Sequence, residues 1–207
     1  MAQYFEIHPE NPQMRLITEA VKILQAGGVM IYPTDSCYAI ACQIGNKEAL
    51  QRIRRIRNLD ENHHMTLMCK DLSEISTYAR VSNPAFRLMK ALTPGPYTFL
   101  LLATRDVPRR LQHRKRKTIG LRVPDHPIIL ALLRELQQPL LSTSLIMPGE
   151  EFALNDPEEI NELLGNRVDL IIDGGVCGLE PTTVVDLIED QAEVIRYGKG
   201  DVSPLGS

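Results

Sequence analysis

Runs of apolar residues alternate with amphipathic stretches along the whole chain. Leu16, Ile17, Ala20, Val21, Ile23 and Leu24 recur at helical spacing and predict a first helix. Asn11 is its expected cap, Pro12 its first position and Gly27 its end. A strand at 29–32 follows, stopped by Pro33. A second helix is predicted over about 47–58, capped by Asn46, with Leu50, Ile53 and Ile56 inward and its arginines fanning outward. Short strands are predicted at 65–69, 97–102, 119–123 and 140–144. Helices open at Asn83-Pro84 and at His126-Pro127. Asp156 and Glu159 have the spacing of a capping box, and Gly165 closes that helix. Strands at 168–172, 183–187 and 193–196 complete the pattern.

This alternation predicts an α/β sheet covered by helices. Neither an internal repeat nor a linker-like segment interrupts it, so residues 1–207 are expected to form a single domain. The first residues lack the basic and apolar regions of a signal peptide, and no apolar run is long enough for a bilayer. A cytoplasmic protein without a membrane partner is expected. Cys37, Cys42, Cys69 and Cys177 form no C-x-x-C pair and are expected as reduced, mostly buried thiols. The histidines show no metal-ligand spacing, so no metal site is expected, and His63 and His64 read as solvated loop residues.

Charge changes the picture. The net charge of −3 conceals two basic windows. One holds Arg52, Arg54, Arg55 and Arg57; the other holds Arg105, Arg109, Arg110, Arg114, Lys115, Arg116 and Lys117. Of the 26 acidic residues only Asp106 falls inside them. Arg54 and Arg57 share a helix face, as do Arg52 and Arg55, and such like-charge pairs weaken a helix unless an anion offsets them. Arg54 and the run 109–117 are therefore a candidate phosphate or RNA patch, with a plain solvated surface as the alternative. Arg122, set between Leu121 and Val123, needs a carboxylate or a bound anion.

Hydroxyl groups gather where strands end. Thr34 and Ser36 alternate on the segment 33–38, and Tyr38 is expected to join them in one pocket. Ser142, Thr143 and Ser144 end another strand, and Thr182 and Thr183 precede a third. Each suits a polar ligand, and each is also ordinary turn chemistry.

In chain order these segments read Gly27-Gly28-Val29-Met30-Ile31-Tyr32-Pro33-Thr34-Asp35-Ser36-Cys37-Tyr38, Thr93-Pro94-Gly95-Pro96-Tyr97-Thr98, Thr118-Ile119-Gly120-Leu121-Arg122-Val123-Pro124, Ser142-Thr143-Ser144, Pro181-Thr182-Thr183-Val184-Val185-Asp186 and Arg196-Tyr197-Gly198. Together they resemble the YrdC/YciO family, closest to its YciO branch. The resemblance implies a single-domain, open, twisted mixed sheet flanked by helices, with a concave, positively charged groove. Catalytic members condense L-threonine, bicarbonate and ATP into threonylcarbamoyl-adenylate and pyrophosphate, for transfer RNA modification. Others are associated with double-stranded RNA. By resemblance, Thr34, Arg122, Ser142 and Thr182 form the threonine site, and Arg57, Thr118, Ser144 and Arg196 contact the nucleotide. Mg²⁺ would accompany ATP.

Two family motifs are altered. K-x-R becomes Arg57-Asn58-Leu59, and S-x-N becomes Ser144-Leu145-Ile146. Ala39 replaces a glycine after the tyrosine. Two readings follow: an RNA- and nucleotide-binding protein with weak synthase activity, or a non-catalytic protein that binds double-stranded RNA.

Overall fold

The computed structural model describes residues 1–189 and 191–205. One mixed sheet organises them, flanked by helices as the resemblance implies. Its strands are β1 (Gln3–Glu6), β2 (Met30–Tyr32), β3 (Ala39–Gln43), β4 (Thr66–Met68), β5 (Ala79–Arg80), β6 (Tyr97–Ala103), β7 (Thr118–Arg122), β8 (Leu140–Ser144), β9 (Leu170–Asp173), β10 (Thr183–Asp186) and β11 (Glu193–Arg196). They lie in the order β1-β9-β2-β3-β8-β4-β7-β6-β10-β11, with β5 against β6. The helices are α1 (Met14–Gln25), α2 (Lys47–Arg57), α3 (Leu72–Tyr78), α4 (Asn83–Leu92), α5 (Pro127–Leu136) and α6 (Pro157–Leu164). Among the described residues no helix is long and apolar enough to cross a membrane.

Side-chain alternation divides the sheet into two faces. Ile31, Ile40, Leu67, Phe99, Leu121, Leu141, Ile171 and Val185 point to one face and join a core with α2, α3, α4 and α6. Met30, Tyr32, Ala41, Met68, Leu140, Leu170 and Ile172 point to the other and pack against α1 and α5. These two helices pack against each other and cover the half of that face nearest β1, β9, β2 and β3. Over β7, β6 and β10 the same face carries Gly120, Arg122, Thr98 and Thr182, which line a cavity. The hydrophobic pattern thus positions the site: one face is apolar throughout, while the other turns polar where helical cover ends.

Local departures have local causes. The first helix starts at Met14 after an extended Gln13, not at Pro12. Asn11 does not cap it, because the amides of Glu10 and Asn11 both donate to His8 Nδ1 in a preceding turn. Asn46 and Asp156 do cap, accepting from the amides of Ala49 and of Glu158 and Glu159. Strand β3, absent from the sequence expectation, is held antiparallel between β2 and β8.

Candidate functional site

A cavity of about 490 Å³ opens on the uncovered half of the sheet. Arg57, Arg116, Arg122 and Arg196 line it together with His63 and His64, and among the described residues no aspartate or glutamate does. Such a lining favours a multiply charged anion. Its floor is Gly120, where an added Cβ would lie 3.2 Å from Thr66 Oγ1 and 3.3 Å from Thr98 Cγ2.

Arg122 stands on β7 with 5 % exposure and pairs with Asp35. Its Nη1 donates to Ser36 Oγ at 3.1 Å. The expected partner of this arginine is therefore a carboxylate three residues past β2. Arg122 Nε and Asp35 Oδ2 are buried without a partner. A guanidinium has five N–H donors, so capacity remains for a ligand carboxylate or phosphate.

The hydroxyls are fixed by one another. Thr34 Oγ1 donates to the Cys37 carbonyl at 2.7 Å and accepts from the Ser36 and Cys37 amides, holding the loop in shape. Ser142 Oγ lies 2.8 Å from Tyr32 Oη and 3.2 Å from the Ile40 carbonyl. Thr98 and Thr182 link through Oγ1 atoms 2.7 Å apart. A ligand would meet a surface whose polar groups are already ordered, which lowers the entropy of binding it.

Arg57 ends α2 and reaches inward, so this arginine does not fan out to solvent. Its Nε donates to the Ser144 carbonyl at 2.7 Å, joining the end of α2 to the end of β8. Burial lowers its pKa, yet a guanidinium remains charged at physiological pH. Arg196 donates through Nε and Nη2 to the Thr182 carbonyl at 3.2 and 2.9 Å. Cys37 also lines the cavity, and burial pushes its thiol up, so it faces a ligand as neutral SH.

Thr34, Arg122, Ser142, Thr182, Arg57, Ser144 and Arg196 all line this cavity, whereas Thr118 does not. Thr118 points to the same face as Gly120 and Arg122 but starts β7, where its carbonyl receives the His113 amide beneath the 113–117 turn. Tyr38 also stays out, because the next residue along a strand faces the other way. Its hydroxyl donates to the Gly175 carbonyl at 2.8 Å on the opposite face.

The basic run separates into parts. Arg116 enters the cavity and pairs with Asp186 at 2.6 Å. Arg114 pairs with Glu61, and Arg110 donates to the Gly45 carbonyl. Of the two altered motif positions, Ile146 lines the cavity. Leu59 packs against the core instead, so only one of the two aliphatic replacements faces a ligand.

His63 and His64 are lining residues that the sequence did not reveal. His63 Nε2 lies 3.1 Å from Thr143 Oγ1. Desolvation first, then Arg57, lowers its pKa. His64 remains exposed as expected, whereas the polar loop hid a partial burial of His63 supplied by β8, eighty residues further along.

Comparisons with known proteins agree with this fold. The family model Sua5/YciO/YrdC, described as telomere recombination, matches residues 22–198. The YciO protein of Escherichia coli K12 is 59% identical over 205 residues, covering 99% of this chain and 100% of that one. Its crystal structure superposes with a TM-score of 0.96. A threonylcarbamoyl-AMP synthase from Chromobacterium violaceum is 33% identical over 190 residues, 91% of this chain and 96% of the enzyme. The crystal structure of P. abyssi Sua5 complexed with L-threonine shares the fold, with a TM-score of 0.87 at 23% identity over 95% of this chain and 58% of that one.

Proposed function

Because the chain belongs to the Sua5/YciO/YrdC family, we propose that its cavity binds L-threonine and an adenine nucleotide side by side and forms L-threonylcarbamoyl-adenylate slowly. The observation that carries this reading is a lining that, among the described residues, has four arginines, two of them (Arg57 and Arg196) outside any ion pair, and no carboxylate, beside pre-ordered hydroxyls. Arg122 would take the amino acid's carboxylate, with Thr34, Ser142 and Thr182 around it. Arg57 and Arg196 would take the phosphates, beside Ser144. The synthase relative supports the choice of product.

The chemistry needs no protein nucleophile. Bicarbonate and the threonine amine give a carbamate with loss of water. A carbamate oxygen then forms a bond to the α-phosphorus, and the bond from that phosphorus to the bridging oxygen breaks, releasing pyrophosphate. The protein's part is to hold oxygen and phosphorus in line and to offset the charge that develops. Mg²⁺ would be carried by the phosphates, since no group of three metal-binding side chains converges among the described residues. Ile146 is the reason for a slow rate: one lost polar contact costs about 1.5–3 kcal/mol, roughly tenfold to a hundredfold.

Calorimetric titration tests the binding step. Mg-ATP and L-threonine should each bind once, and Arg196→Ala should weaken the nucleotide but leave threonine nearly unaffected. Absence of binding by both ligands overturns the reading.

A second reading is RNA binding, favoured by exposed Arg105, Lys115 and Lys117, which have no acidic partner among the described residues. Duplex RNA would lie along this loop through its phosphates. Its affinity should fall steeply with salt and with Lys115→Glu/Lys117→Glu. A flat salt dependence would contradict it.

A further inference from the structure

We infer that the outer side of α2 carries a second anion site, separate from the first, that takes a short polyphosphate. A cavity of about 300 Å³ lies between α2 and the segment 109–114. Lys47, Arg54, Arg109, Arg110 and Arg114 line it against a single carboxylate among the described residues, Glu61. Its size falls at the lower end of small-molecule pockets.

The helix and the facing segment build this site together. Lys47 and Arg54 are seven residues apart and share one stripe of α2. Arg57, three residues beyond Arg54, turns into the first cavity, so α2 supplies an arginine to each. Arg110 Nη2 donates to the Gly45 carbonyl at 2.9 Å, which fixes the 109–111 turn beside the start of the helix. Among the described residues only Arg114 is neutralised, by Glu61. Arg54 Nε is buried and has no partner. Burying a charged donor unpaired is costly, and so is gathering like charges in a concavity. An anion in the cavity relieves both.

A chain of phosphates suits the site better than a single one. Seven residues of helix span about 10 Å, so the cations are spread along the cavity and a chain of phosphates meets more of them at once than a single phosphate does. The two cavities are also distinct. The crevice between them, lined by Asn62 and His113, holds about 10 Å³, no more than a single water. A phosphate chain does not pass through this crevice.

Calorimetry with inorganic tripolyphosphate tests the inference on the full chain. Wild type should show two sites. Arg109→Ala/Arg110→Ala should weaken one by roughly tenfold to a hundredfold, as lost charged hydrogen bonds do, and leave the other unchanged. Gln51→Glu, an exposed substitution on the cavity wall, should weaken the same site without disturbing the fold. Arg196→Ala should weaken only the first cavity. A single site in wild type, or two sites that persist in both outer variants, overturns the inference. So does duplex RNA binding that requires Arg109 and Arg110 while tripolyphosphate binds only once.

Discussion

Arg122 and Asp35 form a buried ion pair in which each side keeps one unpartnered polar atom, Nε on the arginine and Oδ2 on the carboxylate. The pair joins β7 to the loop after β2 and sets the back wall of the cavity. Those two unsatisfied atoms make the pair less than optimal for stability, since burial of an unpaired polar atom is costly.

Removal of either partner leaves the other charge buried. Arg122→Ala and Asp35→Ala should each cost about 3–5 kcal/mol, and the double variant should cost less than their sum. Urea unfolding checks this. Additive losses would mean that the two groups act independently.

His63 gives the site a pH dependence whose sign follows from its lowered pKa. The unfolded chain, with histidine near 6.5, binds a proton before the folded chain does. Stability contributed by neutral His63 is therefore full above about 6.5 and is lost as pH falls toward the folded value. Burial lowers His64 and His126 in the same direction. A bound anion reverses the local preference and favours protonated His63. Below pH 6.5 the melting temperature should fall while anion affinity rises, and His63→Gln should reduce both trends. Affinity that falls with acidification would exclude His63 from the anion's surroundings.

Ile146 is the altered motif residue that faces the cavity, whereas Leu59 packs against the core. Ile146→Asn should raise adenylate formation by roughly tenfold or more, the equivalent of one recovered polar contact. Leu59→Arg should destabilise the protein instead, because it drives a charge into apolar packing. Initial rates and thermal melts of the two single variants separate these effects. A gain from Leu59→Arg alone would contradict the geometry.

How much of this was legible in the sequence depended on the range of the determining contact. The caps at Asn46 and Asp156 could be read because their side chains bond to amides two or three residues ahead. The buried arginine at 122 could be read from its apolar neighbours. Strand β3 could not, because Ala39–Gln43 has little β-branching and becomes a strand through pairing with β2 and β8 on either side. The inward turn of Arg57 was equally hidden, since the carbonyl that captures it belongs to Ser144. Two polar residues expected at the groove lie outside its lining because of strand position: Thr118 shares the face of Gly120 and Arg122 but starts β7, and Tyr38 bonds to Gly175 on the opposite face.

The most direct test is mass-spectrometric detection of the product after incubation of the pure protein with ATP, Mg²⁺, bicarbonate and L-threonine. The account predicts L-threonylcarbamoyl-adenylate formed slowly, only when threonine is present, with pyrophosphate in equal amount, and abolished by Arg122→Ala in protein shown to be folded. No adenylate from wild type, at enzyme concentrations comparable to substrate, would contradict it.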